Sequence, residues 1–368
     1  MFGKRGQRRV HGWRLLYRLR VEMILRTKAP IVSVMRRAEV RVWTEHEAFD
    51  RIEKLLRRAR HTIIIQMFIW KDDDTGRRIA AALVEAADRG VLVDITKEAV
   101  GDIFEASGDF LSTQNTQSGL WKRFWNHRNI RVRHAADHDH TKVYVIDDQL
   151  LLLTGMNIGN EYHGEWHDYL AEVRGHRFVQ QYLTADDADA QARSSSSIRL
   201  VMNTALRKDV RPAVTEFLES ARTSIVLEQA YISDAKIIET LIRLSNEGIR
   251  ITLILPSTPD VHHHANMVAV SQLLAGAHPR SLQVLLYPGM VHGKLILVDR
   301  KRVFLGSANL TSASLDEMGE VSLLIERGEL LALRTIRDAL RVDILKSTPL
   351  LSPPYLGWLA KWLAWFGL

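Results

Sequence analysis

HTKVYVID (residues 140–147) and HGKLILVD (residues 292–299) are two copies of one pattern, H-x-K-x4-D, in a chain of 368 residues. Each is followed by an asparagine at the same offset, Asn157 after Asp147 and Asn309 after Asp299. The alternating, β-branched residues after each lysine predict a strand. Residues two apart on a strand share a face, so His140 with Lys142, and His292 with Lys294, point the same way. The turns TGMN (154–157) and GSAN (306–309) supply small residues for tight bends and close approach. Each half therefore offers an imidazole, an ammonium and an amide to one point.

The surrounding chain repeats as well. RRARHTIIIQMFIW (57–70) and LESARTSIVLEQAYI (218–232) both pass from helix-like sequence into an apolar run. Each leads to a second helical pattern that ends near glycine, from Ile79 and from Ile237. Such β-helix-β units suit helix-covered sheets. The reading is an internal duplication: a first lobe over 41–184, a linker over 185–207 containing ADDADAQARSSSS, and a second lobe over 208–345. A basic segment over 1–40 and a tryptophan-rich one over 346–368 flank them.

The chemistry of the paired set is phosphodiester transfer. An imidazole can attack phosphorus or protonate a leaving oxygen. Ammonium and amide groups can hold the non-bridging oxygens as charge develops. One histidine becomes a phosphohistidine while the other serves as acid and then base. This scheme needs neither metal nor cofactor. Asp147 and Asp299 are expected to orient or charge-balance the site rather than attack.

The paired motifs, the GSAN turn and TGMNIGNEY from Thr154 resemble the phospholipase D superfamily, and within it the bacterial cardiolipin synthases. The resemblance implies two similar α/β/α sandwich lobes about a pseudo-twofold axis, with one shared active site. It implies His140 as nucleophile, His292 as general acid/base, Lys142 and Lys294 as phosphate clamps, and Asn157 and Asn309 in support. It also implies an acidic residue after each asparagine, matched by Asp168 in GEWHD and Glu320 in MGEV. The first turn departs from the second: Thr154-Gly155 stands where Gly306-Ser307 does, displacing an oxygen equivalent to that of Ser307.

Composition fits a folded protein, with 46% hydrophobic and 25% charged residues. The absence of cysteine excludes disulfides and thiolate chemistry. The net charge of +7 resides at one end, because residues 1–26 hold eight basic residues against Glu22 and the rest balances. A nucleic-acid groove across the body is therefore not expected. WRLLYRLRVEMILR from Trp13 reads as a basic amphipathic segment suited to anionic lipid, or as a surface arm packed on the body. GWLAKWLAWFGL (357–368) reads as an interfacial anchor, with core or dimer packing as the alternative. GLWKRFWNHRNIRV from Gly119 suits a lipid entrance, a nucleic-acid contact or a covering helix.

No apolar run is long enough for a spanning helix or a signal-peptide core. The expected location is the cytoplasmic face of the cell membrane, peripherally bound, with the cytoplasm as alternative. The run His262–His264 lacks an HExxH context, so no metal ligand is expected there, and spacing gives His167 no strong role. Three reactions share the apparatus. Phosphatidyl transfer uses an anionic phospholipid and a lipid alcohol, and would give cardiolipin from phosphatidylglycerol. Hydrolysis uses water and gives phosphatidic acid. A nuclease would act on DNA or RNA, against which the neutral body and tryptophan-rich end argue. Oligomeric state is not legible.

Overall fold

A computed structural model describes residues 39–99, 101, 119–135, 137–186 and 197–352. The segments 1–38 and 353–368, which hold nearly all of the basic and tryptophan-rich ends, lie outside the described residues, as does 187–196 of the linker.

The first lobe runs β1 (Glu39–Thr44), α1 (Glu45–Arg58), β2 (Thr62–Met67), α2 (Asp74–Asp88), β3 (Leu92–Glu98), α3 (Gly119–Asn126), β4 (Ile130–Ala135), β5 (Val143–Ile146), β6 (Leu150–Thr154), α4 (Asn160–Gly164), β7 (Tyr169–Arg174) and α5 (His176–Leu183). The second runs β8 (Ile198–Asn203), α6 (Val210–Glu219), β9 (Ser224–Gln229), α7 (Ala235–Asn246), β10 (Arg250–Pro256), α8 (His263–Gly276), β11 (Leu282–Tyr287), β12 (Lys294–Val298), β13 (Arg302–Gly306), β14 (Glu320–Ile325), α9 (Leu330–Lys346) and β15 (Thr348–Pro349). A π-helical turn, Ala313–Glu317, precedes β14.

The sheet orders coincide: β1-β7-β6-β5-β2-β3-β4 in one, β8-β14-β13-β12-β9-β10-β11 in the other, with β15 added at the edge. In each, the βαβ strands pair in parallel (β2·β3·β4 and β9·β10·β11) and the motif hairpins antiparallel. The duplication and the two-lobe α/β architecture are thus realised in space. β8 lies inside 185–207: IRLVMN alternates well enough to form an edge strand on β14, so linker composition ends before Ile198.

Both faces of the central strands are buried, as helix-covered sheets require. Leu150 and Leu152 of β6 enter the first lobe's outer core under its helices, while Leu151 and Leu153 enter the core between the sheets. β12 divides likewise, Ile296 and Val298 outward and Leu295 and Leu297 inward. The shared inner core, completed by α5 and by Leu333, Ile336 and Leu340 of α9, holds the lobes together. In α3, Trp121 and Phe124 pack against Trp70 in the outer core and Trp121 Nε1 donates to Asp72. These two aromatics have the covering-helix role; Trp125 is the exposed one.

Candidate active site

The motif histidines sit just outside their strands. β5 begins at Val143, and His140 precedes it because its backbone is recruited by the other lobe: His140 N–H donates to Gly319 O at 2.8 Å. In the mirror relation His292 N–H donates to His167 O at 2.7 Å. The extended run still places His140 and Lys142 together, and Lys142 Nζ donates to His140 O at 2.6 Å. Lys294 Nζ donates to His292 O and lies 2.8 and 3.1 Å from that ring's nitrogens.

The acids are exchanged between lobes. His140 Nδ1 is 3.1 Å from Glu320 Oε1 of the second lobe, and His292 Nδ1 is 2.8 Å from Asp168 Oδ2 of the first. Both acids are buried. Glu320 is further held by Ser307 Oγ and by Ser314 Oγ, the latter at 2.8 Å. Ser307 therefore secures an acid instead of facing the centre on its own. In the first lobe, Thr154 Oγ1 donates to Tyr169 O at 2.7 Å, and a Cβ on Gly155 would stand 2.5 Å from Asp168 Oδ2. Glycine is required there by that close approach, so Asp168 has no serine partner.

Asn157 and Asn309 are both buried but differently used. Asn157 accepts from Ile69 N–H at 3.1 Å and donates to Tyr162 Oη at 2.9 Å, bracing the strand end beside the site. Asn309 Oδ1 has no hydrogen-bond partner. Aromatic residues line the centre: Phe68 meets His140 edge-on at 5.0 Å, and Trp166 and Tyr162 lie 5.2 and 5.4 Å from His292. The sequence motifs gave these no role, although Phe68 lies in the first repeated apolar run and Tyr162 and Trp166 belong to NEY and GEW.

Asp147 and Asp299 correct the expectation that they orient or charge-balance the centre. Each opens the three-residue connection between its paired strands, Ile146 to Leu150 and Val298 to Arg302, with positive φ at the first two positions: 53° and 56° at Asp147 and Asp148, 51° and 58° at Asp299 and Arg300. This is the type I′ geometry that fits the twist of a hairpin, and aspartate tolerates it. The Asp147 carboxylate accepts from the backbone N–H groups of Arg60, His61 and Thr62. Asp299 does the same with Arg222, Thr223 and Ser224. A strand rises about 3.3 Å per residue, which puts these aspartates at the opposite end from the lysines. Asp147→Ala should cost about 2–4 kcal/mol of stability through the turn and the lost charge-assisted bonds. Thermal unfolding should show it while kcat stays within about twofold; a kcat loss without a Tm change would place the aspartate in catalysis.

Burial disfavours the charged forms of the basic groups. Burial first, and then the Lys142 ammonium, holds His140 below its ordinary value against Glu320's pull. Burial and Lys294 lower His292 to about 4. Burial likewise lowers Lys294 to about 8 and Lys142 well below the usual lysine value. Burial alone would raise Glu320, but His140, Lys142 and Ser307 keep it below the ordinary carboxyl value. Burial thus disfavours positive charge in this site, and a bound anion would favour it.

Comparison with known proteins agrees with this geometry. The family model described as cardiolipin synthase, PLD-like domain, matches residues 52–187 and 214–335. Cardiolipin synthase A of Pseudomonas aeruginosa is 28% identical over 328 residues, covering 79% of this chain and 64% of that protein. Cardiolipin synthase of Listeria monocytogenes is 24% identical over 335 residues, covering 82% and 68%. The chain thus spans 64% of the length of the Pseudomonas relative. Among solved structures, phosphatidylserine synthase of Haemophilus influenzae has a TM-score of 0.66 at 14% identity, covering 85% of this chain and 88% of that one. Polyphosphate kinase of Porphyromonas gingivalis has a TM-score of 0.60 at 18% identity, covering 90% and 52%. The twin histidine centres, the matched sheets and the family model make this chain an enzyme of the phospholipase D superfamily, in the family of cardiolipin synthase-type, PLD-like domains.

Proposed function

We propose that the enzyme transfers a phosphatidyl group, joining two phosphatidylglycerols into cardiolipin with release of glycerol. The observation that carries the two-step chemistry is the exchanged pairing of His140 with Glu320 and His292 with Asp168. An imidazole fixed through Nδ1 is left to react through Nε2. His140 Nε2 attacks phosphorus, the P–O bond to glycerol breaks, and His292, which takes up a proton with the anionic substrate and enters the step as an imidazolium braced by Asp168, gives that oxygen its proton. His292 then takes the proton of the incoming lipid hydroxyl, whose oxygen displaces His140. Lys142 and Lys294 hold the non-bridging oxygens, with the NH2 group of the Asn309 amide as a further donor. No metal or cofactor enters these steps.

The preference for lipid over nucleic acid rests on the matched family and on the balanced charge of the body. We further propose a peripheral position on the cytoplasmic face of the membrane. Among the described residues no helix is long and apolar enough to cross a membrane. α9 supports surface contact: Leu330, Leu331, Val342 and Leu345 are exposed among exposed Arg334, Arg337 and Arg341, a combination suited to an anionic interface.

Mass-resolved product analysis on phosphatidylglycerol vesicles tests the reading. Cardiolipin with glycerol supports it; phosphatidic acid alone would replace transfer by hydrolysis, and turnover of single-stranded nucleic acid instead of lipid would replace the substrate class. A pH prediction accompanies it. Because burial lowers Lys294 to about 8, its ammonium is lost as pH rises through that value. kcat/KM, which reports the free enzyme, should therefore fall above about pH 8 on uncleaved vesicles; a flat profile to pH 10 would remove Lys294 as a charged clamp.

A further inference from the structure

The side chains of His167, Glu228 and Asp343 converge in the seam between the lobes, apart from the side chains of the two histidine centres. All are buried, with exposures of 4%, 0% and 2%. Glu228 Oε1 and Asp343 Oδ2 lie 3.5 and 3.2 Å from one atom, His167 Nε2, and the three donor atoms fall within 4.8 Å of one another. Tyr169 Oη is also 3.1 Å from that nitrogen. An imidazole nitrogen carries at most one proton, so it cannot bond all three oxygens. Neither oxygen of Glu228, nor Asp343 Oδ2, makes a hydrogen bond of good geometry, although Glu228 lies against both Tyr169 and Asp343.

Two carboxyl groups crowd one imidazole in a buried place, where their ionised forms are costly. The fold does not require this set. By the pairing registers, Gln66 occupies in the first lobe the place of Glu228 in the second: Gln66 faces Val143 and Thr96, Glu228 faces Leu295 and Ile254. The counterpart of His167 is Gly319, since Gly319 O receives His140 N–H as His167 O receives His292 N–H. One half of a duplicated protein thus manages with glycine and glutamine where the other assembles three ionisable groups.

We propose that His167, Glu228 and Asp343 bind a divalent transition-metal cation of the zinc or manganese class. Metal–ligand bonds of about 2.0–2.2 Å give tetrahedral ligand-to-ligand edges of about 3.3–3.6 Å; of the two observed separations, 3.5 Å falls in that range and 3.2 Å just below it. The cation would join the segment before β7, strand β9 and helix α9. It is a positioning site, not a reacting one: His167 O holds the His292 backbone, and a Cβ on Gly293 would stand 2.6 Å from Glu228 Oε1.

Zinc and manganese chlorides, added separately to the full chain after chelator dialysis and followed by calorimetry and metal analysis, test this. One equivalent of either metal should bind and raise Tm. Glu228→Gln and Asp343→Asn should each abolish that binding while circular dichroism stays native. His140→Ala/His292→Ala should still bind one equivalent, which separates this site from the catalytic histidines and from the transfer reading. Lack of binding by the wild-type chain, retention by both carboxamide variants, or loss in the double histidine variant would overturn the proposal.

Discussion

His140→Ala should abolish both turnover and the covalent phosphoenzyme, a fall of at least about 10^4-fold, whereas His292→Ala should lose about 10^2–10^4-fold and be partly rescued by a better leaving group. The asymmetry follows from the assigned roles. A nucleophile cannot be replaced by making the departing alcohol more acidic, but a general acid can. A phosphatidyl ester of p-nitrophenol, whose phenolate leaves without a proton, discriminates them. Release of nitrophenolate should survive in His292→Ala as a burst that halts at the phosphohistidine, and should be absent in His140→Ala. The reverse pattern would exchange the two roles while keeping the pair. Side-chain exposure is consistent with the assignment, since His140 is 14% exposed and His292 6%; the more open ring meets phosphorus more readily.

The second large effect concerns the exchanged acids. Glu320→Gln keeps the shape of a side chain that is 0% exposed and receives His140, Ser307 and Ser314. It removes the charge that orients His140 and stabilises its cation, so kcat should fall about 10^2–10^4-fold, the scale of loss for an acid that orients a catalytic histidine. This defect should not be rescued by the nitrophenyl ester, because it acts on the attacking ring. Asp168→Asn should behave like His292→Ala and be rescued, although Asp168 belongs to the first lobe. Double-mutant cycles should show coupling within His140/Glu320 and within His292/Asp168 and little across them. Coupling of each acid to the histidine of its own lobe would contradict the exchange.

The nearby serine explains why these two acids are not interchangeable. Glu320 reaches its histidine with Ser307 and Ser314 behind it, while shorter Asp168 presses close to Gly155, with no room for a Cβ. The change from Gly306-Ser307 to Thr154-Gly155 thus alters how the acid is held, not merely where an oxygen lies. Stability contributions should differ accordingly, since loss of Glu320 leaves several buried donors unsatisfied.

Much of this protein was determined by local sequence. The shared face of His140 and Lys142, the turns at Asp147 and Asp299, and the matching strand starts in ARHTIII and ARTSIVL depend on backbone geometry within a few residues. Periodicity and turn chemistry report such relations directly. What only tertiary structure decided lies at long sequence separation: His140 meets Glu320 across 180 positions and His292 meets Asp168 across 124. The motif aspartates were misplaced because spacing fixes the strand but not which end approaches the ligand. Trp166 and Phe68 beside the imidazoles, and the meeting of His167 with Glu228 and Asp343, depend on how two sheets close over one core. Repetition specifies each lobe, and the packing of one lobe on the other selects the partners of its buried charges.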